Sequence, residues 1–212
     1  MAINVLLVDD HELVRAGIQQ LLQQSEDINV IACASSGEDA IEQVQQFLPD
    51  VVLMDINMPG IGGIEASRKI VQKHPGVRII ALTVHTEGPF PQQLLNAGAL
   101  GYISKSCNVN DLIKAIRTVH SGKRYVSNDV ATEIVWAGQS IDNSPFNLLS
   151  LRELQIVEMT LDGRSIQEMA DLLKISSKTV NTYRYRVQEK VGVKNDVELT
   201  RLAIKYRLIQ DG

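Results

Sequence analysis

Residues 50–60 read DVVLMDINMPG, and this stretch decides the fold. A short apolar run ends in an acid, Asp55, and a Pro-Gly turn follows, which is typical of a strand buried in a sheet. Four similar runs lie at residues 3–8, 29–34, 77–83 and 101–104. Stretches with helical apolar spacing separate these runs. Strands that alternate with helices predict βαβ units, and therefore an α/β fold with a doubly wound, five-stranded parallel sheet.

The first predicted helix follows directly after the first strand. Leu13, Ile18, Leu21 and Leu22 recur there at helical spacing. We expect these four side chains to form one face that packs on the sheet.

The composition fits a soluble globular protein, since 44% of the 212 residues are hydrophobic and 22% are charged. These values exclude collagen-like, disordered and disulfide-scaffold classes. No apolar run approaches the roughly 18 residues of a membrane helix, and the chain starts without a signal-peptide pattern. Cys33 and Cys107 are the only cysteines, so no disulfide framework is expected. We therefore expect a cytoplasmic protein that binds no membrane.

The strand patterns end near residue 122, where Ser121, Gly122 and Lys123 indicate a helix end. We predict a first domain at residues 1–122, a linker at 123–144 with one short helix at 129–136, and a small all-α domain at 145–212. Four helices are predicted in the second domain, at 150–161, 165–172, 177–190 and 196–208.

Charge is divided unevenly between the two parts of the chain. Residues 1–144 carry 10 Lys and Arg against 16 Asp and Glu, a net charge of −6. Residues 145–212 carry 11 against 9, a net charge of +2. This difference favours a polyanion as the partner of the second domain.

Polar side chains follow the predicted strands at the points where the strands end: Asp9, Asp10, Asp55, Thr83 and Lys105. Because the carboxyl ends of parallel strands lie at one edge of the sheet, we expect these side chains to meet. Neighbouring carboxylates repel one another unless a cation neutralises them, and Mg²⁺ is the simplest cation for oxygen ligands. The sequence therefore predicts a magnesium site.

The same residues suffice for transfer of a phosphoryl group to Asp55. An aspartate can act as the nucleophile and form an acyl phosphate. Mg²⁺ and Lys105 would offset the charge on the transferred oxygens, and Thr83 offers a hydroxyl. The alternative is that these acids only cap helices, which explains one of them more easily than the whole set.

The runs VLLVDDH at 5–11 and VVLMDINMPG at 51–60, with Thr83 and Lys105, resemble the receiver domain of two-component response regulators, a flavodoxin-like fold. The resemblance covers residues 1 to about 122. It implies that Asp55 becomes a 4-aspartylphosphate and that Thr83 and Lys105 bind the phosphoryl group. It also implies a set of Mg²⁺ ligands: Asp9, Asp10, Asp55 and the backbone carbonyl of Asn57.

Two further positions matter for this resemblance. Tyr102 matches the family's switch aromatic, whose rotamer follows Thr83, although a packing role is the alternative. The segment Glu87–Pro91 departs from the family pattern, because Pro89 and Pro91 should delay the start of the helix there.

Residues 164–190 predict a helix, a short turn and a second helix, which is the spacing of a helix-turn-helix. Ser177 is predicted to cap the second helix. Val180 and Val187, with Tyr183 alongside, are expected to pack on the helix before it. Its other face is basic and polar, which suits phosphates and base edges in the major groove, although a solvated basic face is the alternative.

The runs LSLRE at 149–153 and ISSKTV at 175–180 resemble the LuxR-type helix-turn-helix of the NarL/FixJ class of regulators. The runs NSPFNLLS at 143–150 and TVNTYRYR at 179–186 are closer to the GacA/UvrY/LetA subgroup. Position by position, the resemblance implies that Asn181, Thr182 and Tyr185 read bases, with Thr179 in the same DNA-binding surface. Lys178, Arg184 and Arg186 would bind phosphates. The last helix would supply the dimerisation residues: Val197, Arg201, Ile204, Lys205 and Leu208.

Together these features predict a phosphorylation-activated transcriptional regulator and not an enzyme that turns over a free substrate. The resemblance implies a sensor histidine kinase as phosphoryl donor and a receiver that masks the helix-turn-helix at rest. Phosphorylation would release it to dimerise on roughly palindromic promoter DNA. The subgroup acts as a global regulator that activates small regulatory RNAs. The alternatives are a Mg²⁺-dependent phosphatase and a constitutive DNA-binding protein with a structural receiver.

Overall fold

The computed structural model describes residues 2–83, 98–127, 144–206 and 208–209. Within these ranges the chain forms two compact units, the first made of residues up to 127 and the second of residues from 144 onward. The predicted linker helix at 129–136 and the proline-containing segment Glu87–Pro91 lie outside the described residues. No helix in the described ranges has the length and apolar character needed to span a bilayer.

The first unit is built on a parallel sheet with the strand order β2-β1-β3-β4-β5-β6. Its strands are β1 Ile3–Val8, β2 Ile28–Ala34, β3 Val51–Asp55, β4 Arg78–Thr83, β5 Gly101–Ser104 and β6 Tyr125–Val126. The five predicted strands are confirmed to within one residue at each end. The predicted number of strands is wrong, because β6 pairs with β5 inside the segment for which the sequence predicts a linker.

Helices cover both faces of this sheet, as the doubly wound topology requires. They are α1 Glu12–Leu22, α2 Gly37–Phe47, α3 Gly62–Lys73 and α4 Val109–His120. Leu22 of α1 and Ile116 of α4 pack with Leu53 on one face. Val44 of α2 and Ile70 of α3 pack with Met54 on the other face. The alternation of Leu53 and Met54 along β3 therefore supplies both halves of the core.

The predicted apolar face of α1 is wrong at Leu13, and Leu21 is also exposed, at 36%. The side chain of Leu13 is 88% exposed, whereas Leu22 is fully buried and Ile18 packs against the core. Leu13 precedes Ile18 by five residues, and at 3.6 residues per turn this places it about 140° away from that face.

The second unit is all helical. It contains a 3₁₀ turn Pro145–Leu148 and the helices α5 Leu151–Leu161, α6 Ile166–Leu173, α7 Ser177–Val191 and α8 Asp196–Lys205. Ser150 and Ser165 begin α5 and α6 with capping boxes that include Glu153 and Glu168. These caps fix where the first two helices start.

The helix-turn-helix consists of α6, a short turn and α7. Lys174 ends α6 in the left-handed conformation, with φ at 52°. Val180 is buried against Met169 and Leu173 of α6 as predicted, but Val187 is buried in a different cluster, with Leu154 of α5. The predicted cap is wrong by one residue: Ser176 accepts the Thr179 amide at 3.1 Å, while the Ser177 hydroxyl donates to Gln167.

Candidate functional site

The carboxyl edge of the first sheet brings together the polar residues that follow its strands. Asp9 follows β1, Asp55 ends β3, Thr83 ends β4 and Lys105 follows β5. The Lys105 amide donates to the Thr83 carbonyl at 2.6 Å, which holds the ends of β4 and β5 side by side. The side chains of the cluster can therefore converge from four separate strands.

The ammonium of Lys105 lies between two buried carboxylates. Its Nζ is 2.7 Å from Asp9 Oδ2 and 2.8 Å from Asp55 Oδ2. Asp9 and Asp55 are almost completely buried, at 0% and 1% exposure. One ammonium group is therefore paired with two carboxylates in an interior that screens charge poorly.

Burial and the contacts with the oppositely charged partner shift the pKa values of Asp55 and Lys105 in opposite directions. Burial raises the pKa of Asp55, and the contact with Lys105 reverses only part of that rise. Burial would lower the pKa of Lys105, but its contacts with Asp55 and Asp9 outweigh burial and raise that pKa. Lys105 is therefore held as a cation beside Asp55.

The donor set fits a hard divalent cation. Ligand atoms from Asp9, Asp10, His11 and Asp55 all lie within 4.8 Å of one another. Three of these oxygens are buried and share two neighbouring cationic or polar groups: Asp9 Oδ2 and Asp55 Oδ2 both contact the Lys105 ammonium, and Asp10 Oδ1 lies beside His11 Nδ1. Clustered carboxylate oxygens in this state are suited to Mg²⁺.

His11 is a neighbour that the sequence reasoning missed. Its amide donates to Asp9 Oδ1 at 2.9 Å, and its Nδ1 lies 3.0 Å from Asp10 Oδ1. Its only signal in the sequence is its position directly after the two acids. His11 holds the Asp9 carboxylate in place through the backbone.

The loop after β3 places Asp55 by backbone contacts. The Asn57 amide donates to Asp55 Oδ1 at 3.1 Å, and the Gly63 amide donates to the Ile56 carbonyl at 3.2 Å. A Cβ atom on Gly63 would lie 1.7 Å from the Asp55 carbonyl oxygen. Only glycine permits this approach of α3 to the residue that ends β3.

Thr83 and Tyr102 lie on adjacent strands in the interior. Thr83 is 2% exposed and Tyr102 is 1% exposed. Tyr102 pairs with Ala81 of β4, two residues before Thr83. The tyrosine residue is therefore enclosed in the interior of this structure.

The second unit presents a polar face on α7. Five predicted DNA-contact residues are exposed there: Lys178, Asn181, Thr182, Tyr185 and Arg186. Thr179 is partly exposed, and its hydroxyl lies 2.8 Å from the Ser176 hydroxyl at the start of the helix. The Arg186 guanidinium lies over the Tyr183 ring, 6.0 Å from its centroid.

Arg184 is placed differently from the other predicted contacts. Its guanidinium donates to Asp196 Oδ2 at 2.5 Å, and its side chain is 23% exposed. The ion pair joins α7 to the first residue of α8. Nothing in the sequence pattern indicated this contact, because the partners are 12 positions apart on different helices.

The predicted dimerisation residues fall into two groups. Val197, Arg201 and Lys205 are exposed on α8, and Ile204 is partly exposed. Leu208 lies beyond the end of α8, where its amide donates to the Ala203 carbonyl and its side chain packs on the core of this unit. The predicted helix 196–208 is therefore too long by three residues.

Comparison with known proteins assigns both units to families. Residues 5–117 match the response regulator receiver domain. Residues 147–203 match the LuxR family of bacterial regulatory proteins. The chain is 50% identical to the response regulator UvrY of Escherichia coli K12, with 97% of this chain and 95% of that protein covered. It is 45% identical to the response regulator GacA of Pseudomonas viridiflava, with 98% of each covered.

A solved structure is similar over nearly the whole chain. RcsB from Salmonella enterica serovar Typhimurium, bound to a promoter in the presence of the phosphomimetic BeF3−, matches with a TM-score of 0.70 and 25% identity. The match covers 95% of this chain and 98% of that one.

Proposed function

The chain belongs to the response regulators that join a receiver domain to a LuxR-type DNA-binding domain, and on that premise we propose that phosphorylation of Asp55 controls its binding to promoter DNA. The observation that carries this proposal is the contact of Lys105 with both Asp55 and Asp9 at the carboxyl edge of the sheet. We place the protein in the cytoplasm, where bacterial promoters are.

Four groups would hold Mg²⁺ beside the phosphoacceptor: the carboxylates of Asp9, Asp10 and Asp55, and the backbone carbonyl of Asn57. Bound there, Mg²⁺ would offset the negative charge of the phosphoryl oxygens. The clustering of these carboxylates, whose ligand atoms lie within 4.8 Å of one another, supports this assignment.

The protein's own groups account for the transfer itself. A carboxylate oxygen of Asp55 attacks phosphorus and forms the P–O bond, while the P–N bond to the phosphohistidine of a sensor kinase breaks and the imidazole leaves. Lys105, already an ammonium, moves from the carboxylate to the incoming phosphoryl oxygens without any change of proton.

Thr83 and Tyr102 would report the event to the rest of the domain. The Thr83 hydroxyl can donate to a phosphoryl oxygen once Asp55 is modified. If the Thr83 side chain turns toward the phosphoryl group, the space that it leaves would let the neighbouring Tyr102 ring take a different position. A phosphoryl group can thereby shift the receiver between two states.

The output is DNA binding by the exposed face of α7. Asn181, Thr182 and Tyr185 would face base edges, and Lys178 and Arg186 would face phosphates. Release from the receiver would let two chains pair through α8 on a roughly palindromic site, because a two-fold dimer presents two equivalent helices. The likeness to promoter-bound RcsB supports this mode.

Genome-wide footprinting of the wild-type chain and Asp55→Ala, each with and without acetyl phosphate and Mg²⁺, tests the proposal. We expect acetyl phosphate to strengthen the footprints of the wild type only. Equal footprints in all four samples would instead favour a constitutive DNA-binding protein. The footprints would also test whether the protein is a global regulator, since that role requires sites before genes of small regulatory RNAs.

The phosphatase alternative predicts a different measurement. A phosphatase would release phosphate continuously from a generic ester such as p-nitrophenyl phosphate. We expect one phosphoryl group per chain, lost by slow self-dephosphorylation, because the described residues of the receiver supply no second acid beside Asp55 in an Asp-x-Asp arrangement.

A further inference from the structure

The ion pair between Arg184 and Asp196 links the DNA-reading helix to the helix that carries the predicted dimer face. Arg184 lies in the middle of α7, and Asp196 is the first residue of α8. The guanidinium contacts Asp196 Oδ2 at 2.5 Å, and the Arg184 side chain is only 23% exposed, whereas the adjacent Tyr185 is an exposed residue. Arg184 is thus held by its own domain, while its neighbour is free to meet a ligand.

The surroundings of the pair place it at a junction of three helices. A shallow space beneath it is lined by side chains of α5, α7 and α8, including Thr160, Gln188 and Leu199. The start of α8 is fixed separately, since Asn195 accepts the Glu198 amide at 2.9 Å. The ion pair adds a polar side-chain connection between α7 and α8, which also share the apolar core of this unit through Val187, Val191 and Leu199.

We propose that Arg184 and Asp196 are positioning residues, which fix the orientation of the dimer face that begins at Val197 relative to the base-reading face of α7. The inference rests on the proposed DNA-binding function. A dimer must present its two recognition helices at one defined spacing, so α8 has to be held in register with α7. In this role Arg184 does not contact a phosphate.

The two roles predict different effects on a complete site and on a single half-site. The probe is a duplex that the wild-type chain, treated with beryllofluoride, selects from a random-sequence pool, together with the same duplex after one half-site is scrambled. We expect Arg184→Gln and Asp196→Asn each to weaken binding to the complete site about threefold to tenfold, since each dimer loses two partly exposed ion pairs. Binding to the single half-site should stay unchanged.

A charge reversal gives the second readout. The double variant Arg184→Asp with Asp196→Arg rebuilds the pair in the opposite sense and should restore binding to the complete site. A phosphate contact could not be restored in this way, because an aspartate would then face the DNA backbone.

Arg186→Gln is the matched control, since Arg186 is exposed on the same helix and no ion pair holds it among the described residues. It should weaken binding to both duplexes and lower the salt dependence of log K by about 0.9 for each phosphate that the variant no longer neutralises. Asp196→Asn should leave the salt dependence unchanged.

Three results would overturn the positioning role. Arg184→Gln could weaken the single half-site as much as Arg186→Gln does. Asp196→Asn could leave the complete site unaffected. The reversed pair could bind the half-site normally and still fail on the complete site. Failure of the wild type to select any duplex would instead overturn the proposed function, and half-site binding by each variant verifies that it folds.

Discussion

Lys105 is the residue on which the charge balance of the receiver site depends. It contacts both Asp9 and Asp55, and in the proposed mechanism it would bind the incoming phosphoryl group. Replacing it separates the two roles of the site, because the carboxylates that would hold Mg²⁺ remain while the ammonium is removed. Replacement of Lys105 should therefore strengthen Mg²⁺ binding and slow phosphoryl transfer.

For Lys105→Met we expect phosphorylation by acetyl phosphate to slow by about 10²–10³-fold, the usual cost of removing one electrostatic group from a reacting centre. Mg²⁺ should bind more tightly, because a competing cation has gone. Phosphoprotein gels and a fluorescence titration with Mg²⁺ measure the two effects. Lys114→Met, at an exposed position of α4, is the control. Unchanged transfer in Lys105→Met would contradict the role assigned to this lysine.

In the second unit, Glu153 is a buried charged residue that contacts Lys190 of another helix. It is 3% exposed, and its Oε2 accepts from the Ser150 amide at 2.6 Å and from Lys190 Nζ at 2.7 Å. Burial would raise the pKa of Glu153, but Lys190 and Ser150 outweigh burial and hold this pKa below its usual value. The ionised form is therefore the one that the fold favours.

A lowered pKa in the folded state means that Glu153 stabilises the unit above its ordinary pKa of 4.5 and loses this contribution as the pH falls below it. We expect Glu153→Ala to reduce the free energy of unfolding at neutral pH by about 1–3 kcal/mol. The free energy of unfolding of this variant should also change less with pH in the acid range than that of the wild type. Glu153→Gln, which keeps an acceptor for the Ser150 amide, should lose less. Denaturant unfolding at several pH values measures this, and an Ala variant as stable as the Gln variant would be inconsistent with the argument.

At the scale of elements, the approach of α3 to the end of β3 is the tightest constraint on the site. The space beside the Asp55 carbonyl admits no side chain at Gly63, since a Cβ there would overlap the carbonyl oxygen. The position of Asp55, the proposed phosphoacceptor, therefore depends on where α3 begins as well as on the strand.

Gly63→Ala should displace the start of α3, destabilise the receiver by about 1–3 kcal/mol or more, and slow phosphorylation of Asp55. Gly17→Ala is the matched control, because a Cβ at Gly17 of α1 would meet no atom within 4 Å. That variant should gain about 0.5–1 kcal/mol from the better helix propensity of alanine. Thermal melts and acetyl-phosphate labelling of both variants test this pair, and equal behaviour of the two would argue against the close approach.

Elements were predictable from sequence where a pattern repeats, and not where one contact decides. The buried strands and the packing face of α7 each have several apolar residues that agree. The strand β6 was missed because two residues, Tyr125 and Val126, are too few to form a pattern. The cap at Ser176 was misplaced by one residue because two adjacent serines compete for it.

The candidate site was predictable for a related reason. Parallel topology alone brings the strand ends together, so Asp9, Asp55 and Lys105 could be grouped without knowing any distance. His11 and the Arg184–Asp196 pair could not be found in this way. Each depends on the direction of one side chain toward a partner, which no periodic pattern encodes.

At the scale of the whole molecule, the acidic receiver and the basic second unit carry different kinds of candidate site. The receiver gathers carboxylates at the proposed site for a cation and a phosphoryl group, while α7 carries exposed basic residues such as Lys178 and Arg186. Because phosphate contacts release counterions from DNA, the affinity of the activated chain should fall as salt is raised.

Lys178→Gln should reduce the slope of log K against log salt by about 0.9 for each subunit that contacts the DNA. Lys123→Gln, an exposed change of the same charge outside the second unit, should leave the slope unaltered. Fluorescence anisotropy over a range of salt concentrations gives both slopes. Equal slopes for Lys178→Gln and the wild type would remove Lys178 from the DNA interface.

The location of the phosphoryl group tests the central claim most directly. The full-length chain is incubated with acetyl phosphate and Mg²⁺, reduced with borohydride to convert any acyl phosphate into homoserine, and read by peptide mass spectrometry. We predict homoserine at Asp55, and its absence when Mg²⁺ is withheld. A conversion at any other acid, or none at all in a chain that is demonstrably folded, would contradict the account.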